Sequence, residues 1–308
     1  MGGGEREESA LRIFVTGANG FIGGSVAAAL IANGDTVRGL VRSREKADEV
    51  AAFGVVPVIG ALDDGDLLRA EAAAADAVVN AASSDHRGAV ETFIAALAGS
   101  GKPLIHSSGS SIVADLAMGE PSDRIFDETT PIAPLPERAA RVAIDRLVLD
   151  APGVRAMVLC NAMIYGNALA GSGQSVQLPA LVRQAKATGA APYIGRGLNR
   201  WSNVHIADVA ALYIRAIAKA RAGEIIGAFM YVESGEESFG EIAKAIGARL
   251  GLGPARSLSP EEAVAIWGRG LATFSLGSNS RVRSKLAAAL GWRPAYRSIT
   301  QWIAAELA

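Results

Sequence analysis

The chain is poor in the residues that build disulfides and metal centres. Its 308 residues include one cysteine, Cys160, and three scattered histidines, His86, His106 and His205. A lone cysteine excludes an intramolecular disulfide and a cysteine-based metal cluster, and the histidines lack metal-ligand spacing, so we expect no metal site. No apolar stretch approaches the roughly 20 residues that span a bilayer. We therefore expect a protein of a reducing, cytoplasmic compartment with no membrane partner.

An excess of charge of one sign is also missing. Thirty Lys and Arg face 31 Asp and Glu, which leaves a net charge of -1 and no electrostatic reason to expect nucleic acid. Half of the residues are hydrophobic, enough for a large core. The first ten residues are glycine-rich and then acidic, unlike a signal peptide, and predict a disordered leader over 1–10. A small-molecule substrate is the expected partner.

What the chain does contain is an alternation of strands and helices. Short apolar, β-branched runs alternate with helical segments of about ten residues from Leu11 to Ser107. This pattern predicts an α/β fold with a Rossmann-type, doubly wound parallel sheet. We assign 11–166 and 201–229 to the dinucleotide-binding domain, and 167–200 and 230–308 to a smaller C-terminal substrate lobe. Beyond Gly166 the helical segments are Gln177–Thr188, Val209–Ala220, Ser238–Leu250, Arg281–Leu290 and Ile299–Leu307.

A glycine-rich turn connects the first predicted strand to the first helix. Gly17 permits the tight turn, Gly20 lets the backbone approach a pyrophosphate, and Gly23 lets the helix pack close to the sheet. The helix N-terminus then offers N–H groups to phosphates. The sequence therefore predicts a bound nicotinamide dinucleotide. Its contacts in the turn are predicted to be Gly17, Asn19, Gly20, Phe21, Ile22 and Gly23.

The end of the second predicted strand bears on the form of the cofactor. An acidic residue there would bind the adenosine ribose and repel a 2′-phosphate, but the chain has Arg42 and Ser43. Arginine binds phosphate through paired donors, which favours NADP(H). A solvated surface arginine is the alternative, and with it NAD(H). Further predicted cofactor contacts are Leu62, Asp63 (or a helix N-cap), Ala81, Ala82 and Ser83 at the sheet edge, and Asn161 and Met163 near the nicotinamide.

Several segments together resemble the extended short-chain dehydrogenase/reductases, in the NAD(P)-dependent epimerase/dehydratase branch. The resemblance covers nearly the whole chain and implies a dinucleotide across the sheet edge and a C-terminal lobe that closes on the substrate. The segments are TGANGFIGG (16–24), GALDD (60–64), NAA (80–82), LIHSSGSS (104–111), FDETTPIAP (126–134), NAMIYG (161–166), RWSNVHIADVA (200–210) and KLAAALGWRP (285–294).

The resemblance also implies a serine, a tyrosine and a lysine in catalysis. Ser108 fits the serine, with Ser110 nearby. The tyrosine and the lysine four residues beyond it are absent, because their expected place reads ERAARV (137–142). The first tyrosine of the chain is Tyr165, and no lysine lies between Lys102 and Lys186. The chain thus resembles an atypical subgroup of the family.

Four residues are candidates for the missing chemistry. Tyr165 follows the sixth predicted strand and is a candidate acid, although a packing role is the alternative. Arg138 and Arg141 are candidates for polarising a carbonyl or holding a carboxylate, with a charged helix face as the alternative. His86, after the fourth predicted strand, is a candidate acid or base, with an exposed helix start as the alternative. His106, inside the fifth predicted strand, is interpreted as a core residue.

Three functions are compatible with these features. The first is an NADP(H)-dependent reductase or dehydrogenase acting on a small carbonyl or alcohol. The second is an epimerase or dehydratase that retains its cofactor, which the lack of an obvious paired-arginine clamp for a nucleotide diphosphate disfavours. The third is a non-catalytic NADP-sensing protein. By analogy with the family, a homodimer through the helices after the fourth and fifth strands is also expected.

Overall fold

The computed structural model describes residues 10–308, so the predicted leader, apart from the exposed Ala10, lies outside the described residues. The strands are β1 (Arg12–Thr16), β2 (Thr36–Val41), β3 (Val56–Ile59), β4 (Ala77–Asn80), β5 (Pro103–Gly109), β6 (Arg155–Asn161), β7 (Met163–Tyr165), β8 (Ala190–Ile194), β9 (Arg200–His205), β10 (Ala228–Val232), β11 (Gly235–Ser238) and β12 (Gly253–Leu258). The α-helices are α1 (Phe21–Ala32), α2 (Arg44–Ala51), α3 (Gly65–Ala74), α4 (Arg87–Leu97), α5 (Pro136–Leu149), α6 (Gln177–Thr188), α7 (Ile206–Ala222), α8 (Phe239–Arg249), α9 (Pro260–Leu271) and α10 (Ile299–Glu306).

Seven of the strands form one parallel sheet. Their order is β10-β6-β5-β4-β1-β2-β3. The chain winds outward from β1 through β2 and β3, then crosses to β4 and winds the other way. This reversal opens a crevice beyond the carboxyl ends of β1 and β4, where open α/β sheets bind their ligands. The predicted Rossmann-type, doubly wound sheet is confirmed.

Alternating side chains of the strands explain why both faces of the sheet are covered. In β1, Ile13 and Val15 pack into the cluster that includes α1, α2 and α7. Phe14 points to the other face, where the cluster includes α3, α4 and α5, and its ring meets Phe93 edge-on with centroids 6.2 Å apart. A period of two along a strand thus places apolar groups on both faces of a sheet buried between two helical layers.

A separate apolar cluster lies outside the large sheet. It joins α6, α8, α9 and α10 with the two-stranded sheet of β8 and β12. Met163 and Tyr165, from the segment assigned to the dinucleotide-binding domain, also pack into this cluster. The exact limits of the two lobes therefore stay a prediction. Within residues 10–308, no helix is both long and apolar enough to cross a membrane.

Several local predictions can be compared with the structure directly. The capping box at the start of α8 is confirmed, since Ser238 and Glu241 exchange both hydrogen bonds. The helix predicted over Arg281–Leu290 is wrong. Arg281 and Arg283 instead form backbone hydrogen bonds with Phe126, of 2.9 and 2.8 Å, so this stretch pairs with a distant loop. The strand β10 and the helix α9 were not predicted, because the sequence pattern loosens after Gly166.

Candidate active site and dinucleotide crevice

The glycine turn has the geometry expected of a dinucleotide-binding turn. Gly17 has φ +68°, and a Cβ there would lie 2.8 Å from the Cα of Ala82. The Gly20 N–H donates to the Gly17 carbonyl at 2.8 Å, which closes the turn. A Cβ on Gly23 would collide with the same carbonyl oxygen, so only glycine lets α1 begin this close to β1.

A cavity of about 340 Å³ lies beside this turn. Gly20 caps α1 without a side-chain hydrogen bond, so within residues 10–308 no capping side chain occupies the first-turn N–H groups. No acidic residue lines this cavity among the residues described. These features fit the adenosine and phosphate part of a dinucleotide. The predicted contacts that line it are Gly17, Asn19, Gly20, Arg42, Leu62, Ala81, Ala82 and Ser83.

Besides Gly23, which lets α1 pack close to β1, three predicted cofactor contacts lie outside both cavities. The Ser43 hydroxyl caps α2 by accepting from the Lys46 N–H at 3.3 Å. Asp63 is exposed, and its carboxylate lies 3.1 Å from Nε2 of His86. Met163 is buried in the C-terminal apolar cluster. None of the three lines either cavity next to the turn.

A loop over residues 167–176 lies across the start of α1. Its Ser172 N–H donates to the Glu49 carboxylate at 2.7 Å, and its Leu169 N–H donates to the Ser25 hydroxyl at 3.2 Å. A Cβ on Gly173 would collide with the backbone nitrogen of Phe21. A phosphate bonded to that nitrogen needs the same space, so we expect the loop to move when a dinucleotide binds.

A larger cavity of about 660 Å³ continues from the turn along the sheet edge. Gly20, Ala81 and Ala82 line both cavities, so the two are neighbours in one crevice. Predicted site residues that line the larger one are Phe21, Ile22, Ser108, Ser110, Arg138 and Asn161. Apolar and aromatic groups complete its wall, including Ile164, Trp201, Leu271 and Phe274.

Arg138, on the first turn of α5, presents a cation to this cavity. Its guanidinium lies 5.3 Å from the centroid of the Phe274 ring, a cation–π distance. Burial lowers the pKa of Arg138, but an arginine stays charged. Within residues 10–308, its Nε is buried without a hydrogen-bond partner and no carboxylate lies within 4.0 Å of its side chain. The charge is therefore available to a ligand.

Arg141, one turn further along α5, forms its hydrogen bonds with other side chains of the protein. It holds Asp85 through two hydrogen bonds of 2.9 and 2.6 Å and donates to the Ser111 hydroxyl at 3.2 Å. This pairing keeps the pKa of the Asp85 carboxyl below its ordinary value. Arg141 thus fixes the rim of the cavity, where Arg138 has no such partner among the described residues.

The predicted serines differ in their surroundings. Ser110 is buried, and its hydroxyl and carbonyl oxygens both accept from the Ser280 hydroxyl at 2.8 Å. Ser108 donates to Oδ2 of Asp145 at 2.7 Å. Asn161 donates from Nδ2 to the Ser108 carbonyl at 3.3 Å and leaves its buried Oδ1 unpaired within residues 10–308.

Asp145 is the site residue that sequence reasoning missed. It stands on the buried side of α5 between Val142 and Val148, and is itself 3 % exposed. The available signal is a carboxylate on an otherwise apolar helix stripe, which needs a partner to be buried. Burial raises the pKa of Asp145 to about 6, against the opposing effect of the Ser108 hydrogen bond.

Tyr165 lies away from the cavity. It is fully buried in the C-terminal cluster, where its ring packs against His205 and Trp302 with centroids 5.3 and 5.9 Å away. Burial raises the pKa of its hydroxyl well above the ordinary value. We therefore do not retain Tyr165 as a proton donor.

Comparison with known proteins agrees with this geometry. The sequence profile of the NAD dependent epimerase/dehydratase family matches residues 13–229, and the chain belongs to that family. An oxidase of an Acremonium species is 32 % identical, over 92 % of each chain. A 4-hydroxy-2-methyl-3-oxo-4-farnesyl-3,4-dihydroquinoline-1-oxide ketoreductase of Stigmatella aurantiaca is 30 % identical, over 70 % of this chain and 67 % of its own.

Solved structures bear out the fold. A dTDP-glucose 4,6-dehydratase from Bacillus anthracis, in complex with NAD, has a TM-score of 0.75 at 18 % identity. The alignment covers 97 % of this chain and 96 % of the dehydratase. At this identity the likeness concerns the fold alone.

Proposed function

We propose that this protein is an NADP(H)-dependent oxidoreductase that interconverts a small carbonyl compound and its alcohol. The observation that carries the proposal is the continuity of the crevice. The glycine-turn cavity and the Ser108 cavity share Gly20, Ala81 and Ala82, so a dinucleotide anchored near Arg42 would extend toward Ser108. The names of the oxidase and ketoreductase relatives support the same reaction class.

The chain's own residues supply binding and proton handling. A bound nicotinamide dinucleotide would supply or accept the hydride. Ser108 would hold the substrate oxygen through its hydroxyl, and Arg138 would polarise that oxygen or bind an acidic substituent nearby. The apolar wall of Trp201 and Phe274 would exclude water from the substrate carbon.

The test is oxidation of NADPH across a panel of ketones, aldehydes and quinones, with cofactor binding measured separately by calorimetry. We expect turnover with at least one carbonyl compound and a preference for NADPH over NADH. Cofactor binding without turnover on any member of the panel would contradict the proposal. Hydrogen exchange in the loop 167–176 should change when the cofactor is added, since the loop and a phosphate need the same space.

A further inference from the structure

A buried chain of polar side chains runs from the glycine turn to Ser108, and its direction can be worked out. The Thr16 hydroxyl oxygen accepts the backbone N–H groups of Ala81 and Ala82, at 3.1 and 3.2 Å. Its own hydrogen is therefore left for Oδ1 of Asn80, 2.7 Å away. The amide of Asn80 is thereby oriented, with its Nδ2 donor turned toward the next residue.

That next residue is His106, in the middle of β5. Its Nδ1 lies 3.0 Å from Nδ2 of Asn80 and must accept. A neutral imidazole that accepts at Nδ1 carries its hydrogen on Nε2. Nε2 lies 3.6 Å from Oδ1 of Asp145, and both atoms are buried without another partner within residues 10–308. The donor and the acceptor therefore face each other.

We propose that Asp145 is a positioning residue that stores the exchangeable proton of the active site and passes it through Ser108. Thr16, Asn80 and His106 form the oriented chain behind it. This inference rests on the proposed function, because it assigns the source of the proton that the missing tyrosine would otherwise provide. It gives Asp145 a role that neither the family resemblance nor the sequence motifs indicate.

The direction of the hydrogen bond between Ser108 and Asp145 depends on the charge of Asp145. When Asp145 is ionised, Ser108 donates to the carboxylate. When Asp145 is protonated, its O–H donates to the Ser108 oxygen, and the Ser108 hydrogen is free to point into the cavity. In the reductive direction the carbonyl carbon would take a hydride from the reduced dinucleotide, the carbonyl oxygen takes the Ser108 proton, and Ser108 takes the Asp145 proton. The products are the alcohol, the oxidised dinucleotide and the Asp145 carboxylate.

The surroundings favour a proton on Asp145 up to about pH 6. Burial raises the pKa of Asp145 to about 6 and lowers the pKa of His106 to about 4. Between these values both groups are neutral, so the pair holds the carboxyl proton and the Nε2 hydrogen without forming a buried ion pair. The titratable or charged groups that face Asp145 are His106 on β5, Arg141 on α5, Asp85 after β4, Cys160 on β6 and Tyr231 on β10.

The proposal is tested first on the free protein, by NMR titration of labelled side chains. We expect the Asp145 carboxyl carbon to titrate near pH 6 and His106 to keep its hydrogen on Nε2 down to about pH 4. Ser108→Ala should raise the pKa of Asp145 further, because the ionised carboxylate loses its donor. Asp145→Asn and His106→Gln assign the signals, and Asp150→Asn, at the exposed end of α5, is the matched control.

An ordinary carboxyl pKa for Asp145, unmoved by Ser108→Ala, would overturn the proposal even if the enzyme reduces carbonyl compounds. If Asp145 and His106 titrate as expected but the protein turns over no substrate, the result would count against the proposed function and leave this proposal standing. With an active substrate, kcat for reduction should fall about tenfold per pH unit above the pKa of Asp145. Asp145→Asn should flatten this profile at a low rate, and Asp145→Glu should restore its slope.

Discussion

The two cavities of the crevice differ in how their walls are built. The glycine-turn cavity is formed by backbone and small side chains, and the only charged residue that lines it, among those described, is Arg42. The larger cavity has two arginines in its wall and the buried carboxyl of Asp145 directly behind Ser108. The first needs space and free N–H groups, whereas the second depends on particular side chains that hold one another. Substitutions should therefore separate binding of the cofactor from chemistry on the substrate.

The largest effect should follow the loss of the Ser108 hydroxyl. For Ser108→Ala we expect kcat to fall about 100-fold or more, because the substrate oxygen loses its hydrogen-bond donor and its route to the Asp145 proton. The dissociation constant for NADPH should stay within about twofold, since Ser108 does not line the glycine-turn cavity. Steady-state kinetics and calorimetry measure the two quantities.

Ser100→Ala, before the start of β5 and exposed, is the control for this variant. Its kinetics should match those of the wild type. If Ser108→Ala weakened cofactor binding and turnover equally, the division of roles between the two cavities would be wrong.

The glycine turn and the serine cavity also differ in how far the sequence alone predicts them. The spacing of Gly17, Gly20 and Gly23 between a strand and a helix is local, so a short stretch of sequence contains all of its physical reasons. Asp145 could not be placed in this way. Its partners His106 and Ser108 lie on β5, nearly 40 residues earlier, and only the packing of α5 on the sheet brings them together.

The same difference explains why Arg138 lines the larger cavity and Tyr165 does not. Both lie close to a predicted site in sequence, but β7 belongs to a separate three-stranded sheet and turns Tyr165 into the C-terminal cluster. Arg138 remains on the cavity because it opens the helix that borders the crevice. Sequence patterns indicate which segments reach the crevice and leave the direction of each side chain undetermined.

Asp145 and His106, which lie behind the larger cavity, should make the free energy of unfolding depend on pH in opposite directions. The raised pKa of Asp145 makes the free energy of unfolding fall as pH rises from about 4 to 6, because the unfolded chain ionises first. The lowered pKa of His106 makes the free energy of unfolding rise as pH rises from about 4 to 6.5, because the unfolded chain binds more protons in this pH range. Each contribution is up to about 3 kcal/mol, and in the wild type they largely cancel.

Single variants should reveal each slope. Relative to the wild type, Asp145→Asn should gain stability as pH rises from 4 to 6, and His106→Gln should lose it. Urea unfolding at a series of pH values measures both curves. Parallel curves for all three proteins would mean that neither group titrates differently in the folded state.

Arg138 should affect the substrate and leave the cofactor alone. Arg138→Gln removes the cation beside Phe274, and we expect kcat/KM for the carbonyl substrate to fall about 10- to 50-fold, the typical loss of a charged hydrogen bond. Arg146→Gln, an exposed position on the same helix, is the matched control. An effect of equal size in the control would show that the charge acts from a distance through the whole helix.

The smallest effect should be found at the glycine-turn cavity, where Arg42 is the one charged lining residue among those that the structure describes. Arg42→Ala should raise the dissociation constant for NADPH about tenfold and leave that for NADH unchanged, because only NADPH has a 2′-phosphate for the guanidinium to bind. Arg44→Ala, two residues further and paired with Asp48 at 3.4 Å, should change neither constant. Equal weakening of both cofactors by Arg42→Ala would place Arg42 on the shared part of the dinucleotide, and NADP(H) would then lose its main support in this chain.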